Sequence, residues 1–183
     1  MNTEELIALT PPEFYVIQQK RRQENEKESA LVKEYFRSLL MQTLKEDIEK
    51  EKVMICETRL TVSRLLRSGR NHPIVIDISS AFRIYTTVRV IFPTGLIVEV
   101  EMMICKMPVL ETRILPKDTS EFQRLKTYHS DWESRSTYYP RNREPDMVLF
   151  KEEDCGGKTI KEICEITVSK IKEIISGDSR LRI

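Results

Sequence analysis

The sequence predicts an α+β fold. Its parts are a long N-terminal helix, whole or broken, then an antiparallel meander of about four strands, then a C-terminal amphipathic helix packed on the sheet. Three observations predict it. No glycine precedes Gly69 and no proline lies between Pro12 and Pro73, so residues 13–68 contain neither helix breaker. After Gly69 the chain turns to short runs of β-branched and aromatic residues punctuated by proline and glycine. From Thr159 to Gly177 it shows a capping pair, a broad apolar stripe and a terminal glycine. The organisation that follows is an extended helical region over residues 1–69, an α+β domain over 70–177 with a Tyr/Arg-rich loop at 124–145, and a short tail at 178–183.

The first helix has a marked entry. Thr10 can cap, Pro11 takes the first helical position where its missing N–H is harmless, and Glu13 can reach back as the second half of a capping box. Phe14 and Ile17 make a small apolar patch, but residues 18–29 (QQKRRQENEKES) contain no apolar side chain. The pattern resumes at Val32 and continues through Phe36, Leu39, Leu40, Leu44 and Ile48, at spacings of three and four. A single helix over residues 11–68 would be about 87 Å long, too long to lie on a small domain. The expectation is therefore a long helix over 30–52 and further, with a separately docked start. Residues 53–66 (VMICETRLTVSRLL) fit helix and strand alike. The stripe from Val32 to Ile48 serves either the chain's own core or a partner helix, although sustained heptads are absent.

Four runs read as strands: 73–79, 82–92, 96–106 and 109–115. Pro93-Thr94-Gly95 joins the second to the third as a tight hairpin. In the third, Ile97, Glu99 and Glu101 alternate with Leu96, Val98, Val100 and Met102, which predicts one buried face and one wet face. The last helix carries Ile160, Ile163, Cys164, Thr167, Val168, Ile171, Ile174 and Ile175 toward the sheet, with Lys161, Glu165, Lys172 and Glu173 outside.

Composition narrows the function. The formal net charge is +1, and charges balance on both sides of Gly69, so no global field draws the chain to nucleic acid or to a membrane. No apolar run approaches the ~18 residues of a spanning helix, and the acidic start is unlike a signal peptide. Cys56, Cys105, Cys155 and Cys164 are scattered without a CxxC pair, which predicts reduced structural thiols and an intracellular setting, cytoplasmic or nuclear. With His72 and His129 isolated as well, no metal site and no cofactor is expected.

Gly157-Lys158-Thr159 sits between a strand-like run and a helix, as in a phosphate-binding loop. That motif requires a glycine at position 152, where this chain has Glu152 followed by Glu153 and Asp154. Three carboxylates would repel the phosphate, so the segment reads as a turn and a capped helix start. His129-Ser130-Asp131 holds the letters of a triad, but triads converge in space rather than in a run. Pro145-Asp146 with Lys151 lacks a convincing nuclease spacing, and Glu99 with Glu101 reads as sheet surface before it reads as a cation site.

The segment 124–145 has the most unusual composition. It combines Tyr128, Trp132, Tyr138 and Tyr139 with Arg135, Arg141 and Arg143. Rings interleaved with guanidinium groups suit a protein hot spot or the stacked bases of a single strand. Tyr139-Pro140 and Pro145 ahead of an apolar strand are similar to a pattern of ubiquitin-conjugating-like and RWD folds. Here one extra residue separates the prolines, and no His-Pro-Asn or nucleophilic cysteine follows. The resemblance implies a non-catalytic interaction domain. The function expected is that of a non-enzymatic adaptor or assembly subunit, with self-association or a protein partner. Val32, Phe36, Leu39, Leu40, Leu44 and Ile48 are its candidate helix contacts, and the Tyr/Arg residues its candidate loop contacts. The alternative is a nucleic-acid or ribonucleoprotein factor that uses the same loop.

Overall fold

A computed structural model of the chain describes residues 1–20, 25–68, 71–82, 85–103, 109–115 and 148–177. Helix α1 (Thr3–Ile7) was not expected from sequence. It is held by a reciprocal box in which Asn2 Oδ1 accepts from the Glu5 N–H and Glu5 Oε2 accepts from the Asn2 N–H, both at 2.9 Å. Helix α2 (Pro11–Lys20) begins where Pro11 predicts. Glu13 reaches back to the Thr10 N–H at 2.8 Å, and the Thr10 hydroxyl donates to the same carboxylate at 2.7 Å.

Helix α3 (Asn25–Thr43) carries the predicted stripe, and a short α4 (Lys45–Glu49) follows a break at Leu44. The helix does not run on past residue 52. Val53–Cys56 is strand β1, and Thr58 then caps α5 (Arg59–Arg67) by accepting from the Thr61 N–H. Pairing across the chain decides the matter, because β1 lies parallel to β2 (Ile74–Ser80), with Val53 opposite Ile74 and Cys56 opposite Asp77. Long-range backbone pairing of this kind overrides a weak local preference.

The sheet therefore departs from the expected antiparallel meander. Among the described residues it has six strands in the order β1-β2-β3-β4-β5-β6, with a parallel pair at one edge and antiparallel neighbours elsewhere. The remaining strands are β3 (Tyr85–Ile91), β4 (Ile97–Met103), β5 (Val109–Leu115) and β6 (Val148–Asp154). The β3–β4 hairpin closes as predicted: the Gly95 N–H donates to the Phe92 carbonyl at 2.9 Å, and Gly95 takes φ 89°.

One sheet face forms the main core. Ile76, Ile78, Val88, Val90, Val98 and Val100 meet Val32, Phe36 and Leu40 of α3, Leu44 at the break after it, and the apolar face of α6 (Ile160–Ile175). Leu6, Ile7 and Phe14 close the layer. The entry of α6 is the predicted capping box: the Glu162 N–H donates to Thr159 Oγ1 at 3.2 Å and Glu162 Oε2 accepts from the Thr159 N–H at 2.7 Å. Gly157 (φ 74°) and Gly177 (φ 78°) turn the chain before and after it, so the Gly-Lys-Thr segment is a helix start. Across the other face lies α5, over a smaller cluster of Cys56, Val62, Leu66, Val75, Ile91 and Ile97.

Phe82, just past β2, is a bulky residue at φ 57° and fully buried. Its ring meets Phe36 edge-on at 5.5 Å, and its carbonyl accepts from Gln18 Nε2 at 3.3 Å. Truncation by Phe82→Ala keeps the backbone strain and loses this packing. An unfolding free energy lower by about 3–5 kcal/mol is expected in urea titration.

Glu13 and Glu162 are both exposed, and each has its carboxyl held below the ordinary range, first by the backbone N–H of its cap residue and then by the threonine hydroxyl. A depressed folded-state pKa adds stability above the unfolded value and loses it as pH falls through the folded one. The urea midpoint is thus expected to drop on acidification below the usual carboxylate range, and a Glu13→Gln/Glu162→Gln chain to show a shallower drop.

Candidate functional site

Two places gather polar chemistry. The first is the α5-side face of the sheet, where the cross-strand register sets Cys56, Asp77, Arg89 and Glu99 in one row and continues to Arg113 on β5. Arg89 Nη1 stands 3.4 Å from Asp77 Oδ2, and Arg89 Nε stands 3.1 Å from Glu99 Oε2. All three side chains are buried, and Glu101 beside them is 4% exposed. The expectation of a wet face around Glu99 and Glu101 is therefore corrected. Alternating charges directly opposite one another satisfy each other across strands, which lets that face leave water. Asp77 also accepts the Ser79 N–H at 2.9 Å, and Arg59 of α5 donates to Ser80 Oγ at 2.9 Å. Burial, and then the charge of Asp77, push the Cys56 thiol up to about 11. That thiol stays protonated at neutral pH and is no nucleophile. Burial raises the Cys164 thiol as well, and Cys155 is a third buried free thiol.

The second place is a groove of about 820 Å³ beside β1. Met41 comes from α3, Ile48 from α4, and Met54 and Ile55 from β1. Met41 is 42% exposed and Met54 39%, two of the few large apolar side chains left in water. Among the described residues no strand pairs with the outer side of β1. The Lys52 carbonyl accepts from the Ile74 N–H at 2.9 Å, so alternation along the strand directs the backbone groups of Met54 to β2 and those of Ile55 outward.

The polar rim of the groove is Arg37, Glu51, Asn71 and His72. Arg37 is engaged by two carboxylates, Glu57 at 2.7 Å and Glu34 at 3.2 Å. His72 Nδ1 lies 2.7 Å from the Pro73 carbonyl, and since a carbonyl only accepts, that nitrogen carries the proton. Glu51 closes α4 in a Schellman geometry, with Lys52 N–H to Asp47 O at 2.9 Å and Glu51 N–H to Ile48 O at 3.0 Å. Its φ is 54°, a conformation that costs a side-chain-bearing residue roughly 1–2 kcal/mol. Among the described residues its carboxylate has no hydrogen bond or ion pair.

Of the residues predicted to contact a partner, Val32, Phe36, Leu40 and Leu44 lie in the chain's own core. The sheet and α6 occupy that face, so these four offer no surface to a partner. Leu39 and Ile48 pack partly buried against the same core, and Ile48 also lines the groove. Tyr128, Trp132, Arg135, Tyr138, Tyr139, Arg141 and Arg143 lie outside the described residues, as do Pro140 and His129. Sequence reasoning missed Met41, Met54 and Glu51, and treated His72 only as an isolated histidine.

Compared with protein-family models, curated proteins and solved structures, the chain has no significant match. Among the described residues no helix is long and apolar enough to cross a membrane, and no group of three or more His, Cys, Asp or Glu is placed to hold a metal ion.

Removing Arg89 would take from the buried Asp77 and Glu99 carboxylates the cation that stands between them. For Arg89→Met a loss of about 3–5 kcal/mol is expected in urea unfolding. The charge-free chain Asp77→Asn/Arg89→Met/Glu99→Met should recover most of it.

Proposed function

We propose that this chain is a non-enzymatic adaptor or assembly subunit that holds a partner protein in the groove beside β1. The observation that carries the reading is an apolar groove at a strand edge that is unpaired among the described residues, with two exposed methionines in its wall. Methionine is unbranched and polarizable, so Met41 and Met54 can adapt to the side chains of an occupant. An open strand edge adds main-chain hydrogen bonds to an extended segment, and alternate side chains of that segment then point into the groove. Three buried free thiols support a reducing, intracellular setting for this work. The non-catalytic part of the reading draws on the same residues: Cys56 and Cys164 are protonated and buried, and the acids beside Arg89 are engaged with it.

The reading is tested with the full chain, a Met41→Asp/Met54→Asp chain and a Val16→Asp control, whose exposed site on α2 is not part of the groove. Each is used to capture proteins from nuclease-treated lysate, and the captured partner is then purified for titration. The partner is expected to bind the native and control chains alike and the groove chain at least tenfold more weakly, as loss of one buried methionine side chain (~1.5–3 kcal/mol) requires. A partner that binds the groove chain equally, or partners captured only from a parallel lysate left without nuclease, would count against it and favour the Tyr/Arg loop.

A further inference from the structure

We infer that Glu51 sets the specificity of the groove, and that the segment admitted is an extended apolar stretch of a partner protein carrying a lysine or arginine. The inference rests on the adaptor reading and gives it a chemistry.

Two independent features meet at Glu51. The first is conformational. The position just after a helix, with positive φ, is where glycine is favoured, and this chain places Gly177 there after α6 at φ 78°. After α4 the same position holds a glutamate at φ 54°. Nothing in the local hydrogen bonds needs its side chain, since both closing bonds are made by backbone groups of Glu51, Lys52, Ile48 and Asp47. A strained non-glycine residue at a site lining a groove points to work done by its side chain.

The second feature is charge. Two carboxylates neutralise Arg37. On the neighbouring helix the lysines are committed as well, Lys45 to Glu49 at 3.8 Å and Lys50 to Glu46 at 3.4 Å. Lys52 is exposed but does not line the groove. Among the described residues the carboxylate of Glu51 is therefore the uncompensated charge on a rim whose walls are Met41, Ile48, Met54 and Ile55. An apolar occupant that covers those walls also takes water away from Glu51, and a carboxylate stripped of water without a cation or strong donors is heavily penalised. An occupant carrying an ammonium or guanidinium group at that point removes the penalty, while an acidic segment adds repulsion. Attraction at the rim and rejection of the wrong sign together make a specificity determinant.

The test is selection from a phage-displayed library of random peptides on the full-length chain, with affinities of the selected peptides then measured. Native protein is expected to enrich apolar peptides with a lysine or arginine, all lost on the Met41→Asp/Met54→Asp chain. On Glu51→Gln those peptides should bind roughly ten- to a hundredfold more weakly, and on Glu51→Lys the enrichment should shift to aspartate and glutamate. Glu51→Gly should raise the unfolding midpoint while losing the preference for basic peptides. Groove-dependent peptides without a basic residue, or equal binding by Glu51→Gln, would overturn the role of Glu51 and leave the groove standing. A lower midpoint for Glu51→Gly would make the glutamate a structural residue and overturn the inference too. If no peptide depends on Met41 and Met54, both the inference and the adaptor reading fall.

Discussion

Arg89 has to meet Asp77 on one neighbouring strand and Glu99 on the other, inside a face from which water is excluded. That requirement fixes the register of three central strands at once. A slip of one residue would carry the arginine to the α3 side, among Val88, Val90, Val98 and Val100, and would set valines opposite the abandoned carboxylates. Alternative pairings are therefore penalised far more than in an all-apolar sheet. What the row contributes over a hydrophobic replacement is register more than net stability, because taking charges out of water offsets most of their attraction. Everything further out is hung on that register: β1 pairs with β2, α4 leads into β1, and the groove lies where α3, α4 and β1 converge.

Among the described residues the sheet ends at the groove wall. A parallel pair needs a crossover connection, and that crossover covers a face of the sheet, leaving the edge itself open. Here the crossover α5 covers only the side of β1 that bears Cys56. The strand is four residues long, and brevity is one of the ways natural sheets keep an edge from pairing at random. A short edge flanked by Glu51, Lys52 and Glu57 gives an arbitrary strand little to pair with.

What could be read in the sequence was what is local and stereochemical. Thr10 with Glu13, Thr159 with Glu162, Gly95 in its hairpin and Gly177 after the last helix each carry their conformation in their own chemistry. The apolar faces of α3 and α6 were legible for the same reason, as a period of 3.6 in residues that must leave water. Strand β1 was not, because Val53–Cys56 is too short to show a period and becomes a strand by pairing with residues beyond α5. The charged face of β4 misled because alternation tells which residues share a face without telling whether that face is wet. Glu99 is dry because Arg89, opposite it on β3, answers its charge. Nothing in the run Glu49-Lys50-Glu51-Lys52 announces a left-handed turn, since the usual glycine or asparagine is missing. The groove was illegible for that reason, and because Met41 lies one position off the buried stripe of α3.

The bond from the Ile160 N–H to the Leu9 carbonyl, at 2.7 Å, joins the connection between α1 and α2 to the first turn of the last helix. Between them lies nearly the whole chain, and α3 packs beside that same last helix. A ribosome making this protein releases Val32, Phe36, Leu40 and Leu44 long before the strands and the helix that cover them. Closing so distant a contact is a late event in folding. The nascent N-terminal third thus waits with its apolar stripe uncovered, and exposed apolar surface of that kind is what makes a half-made chain prone to aggregate.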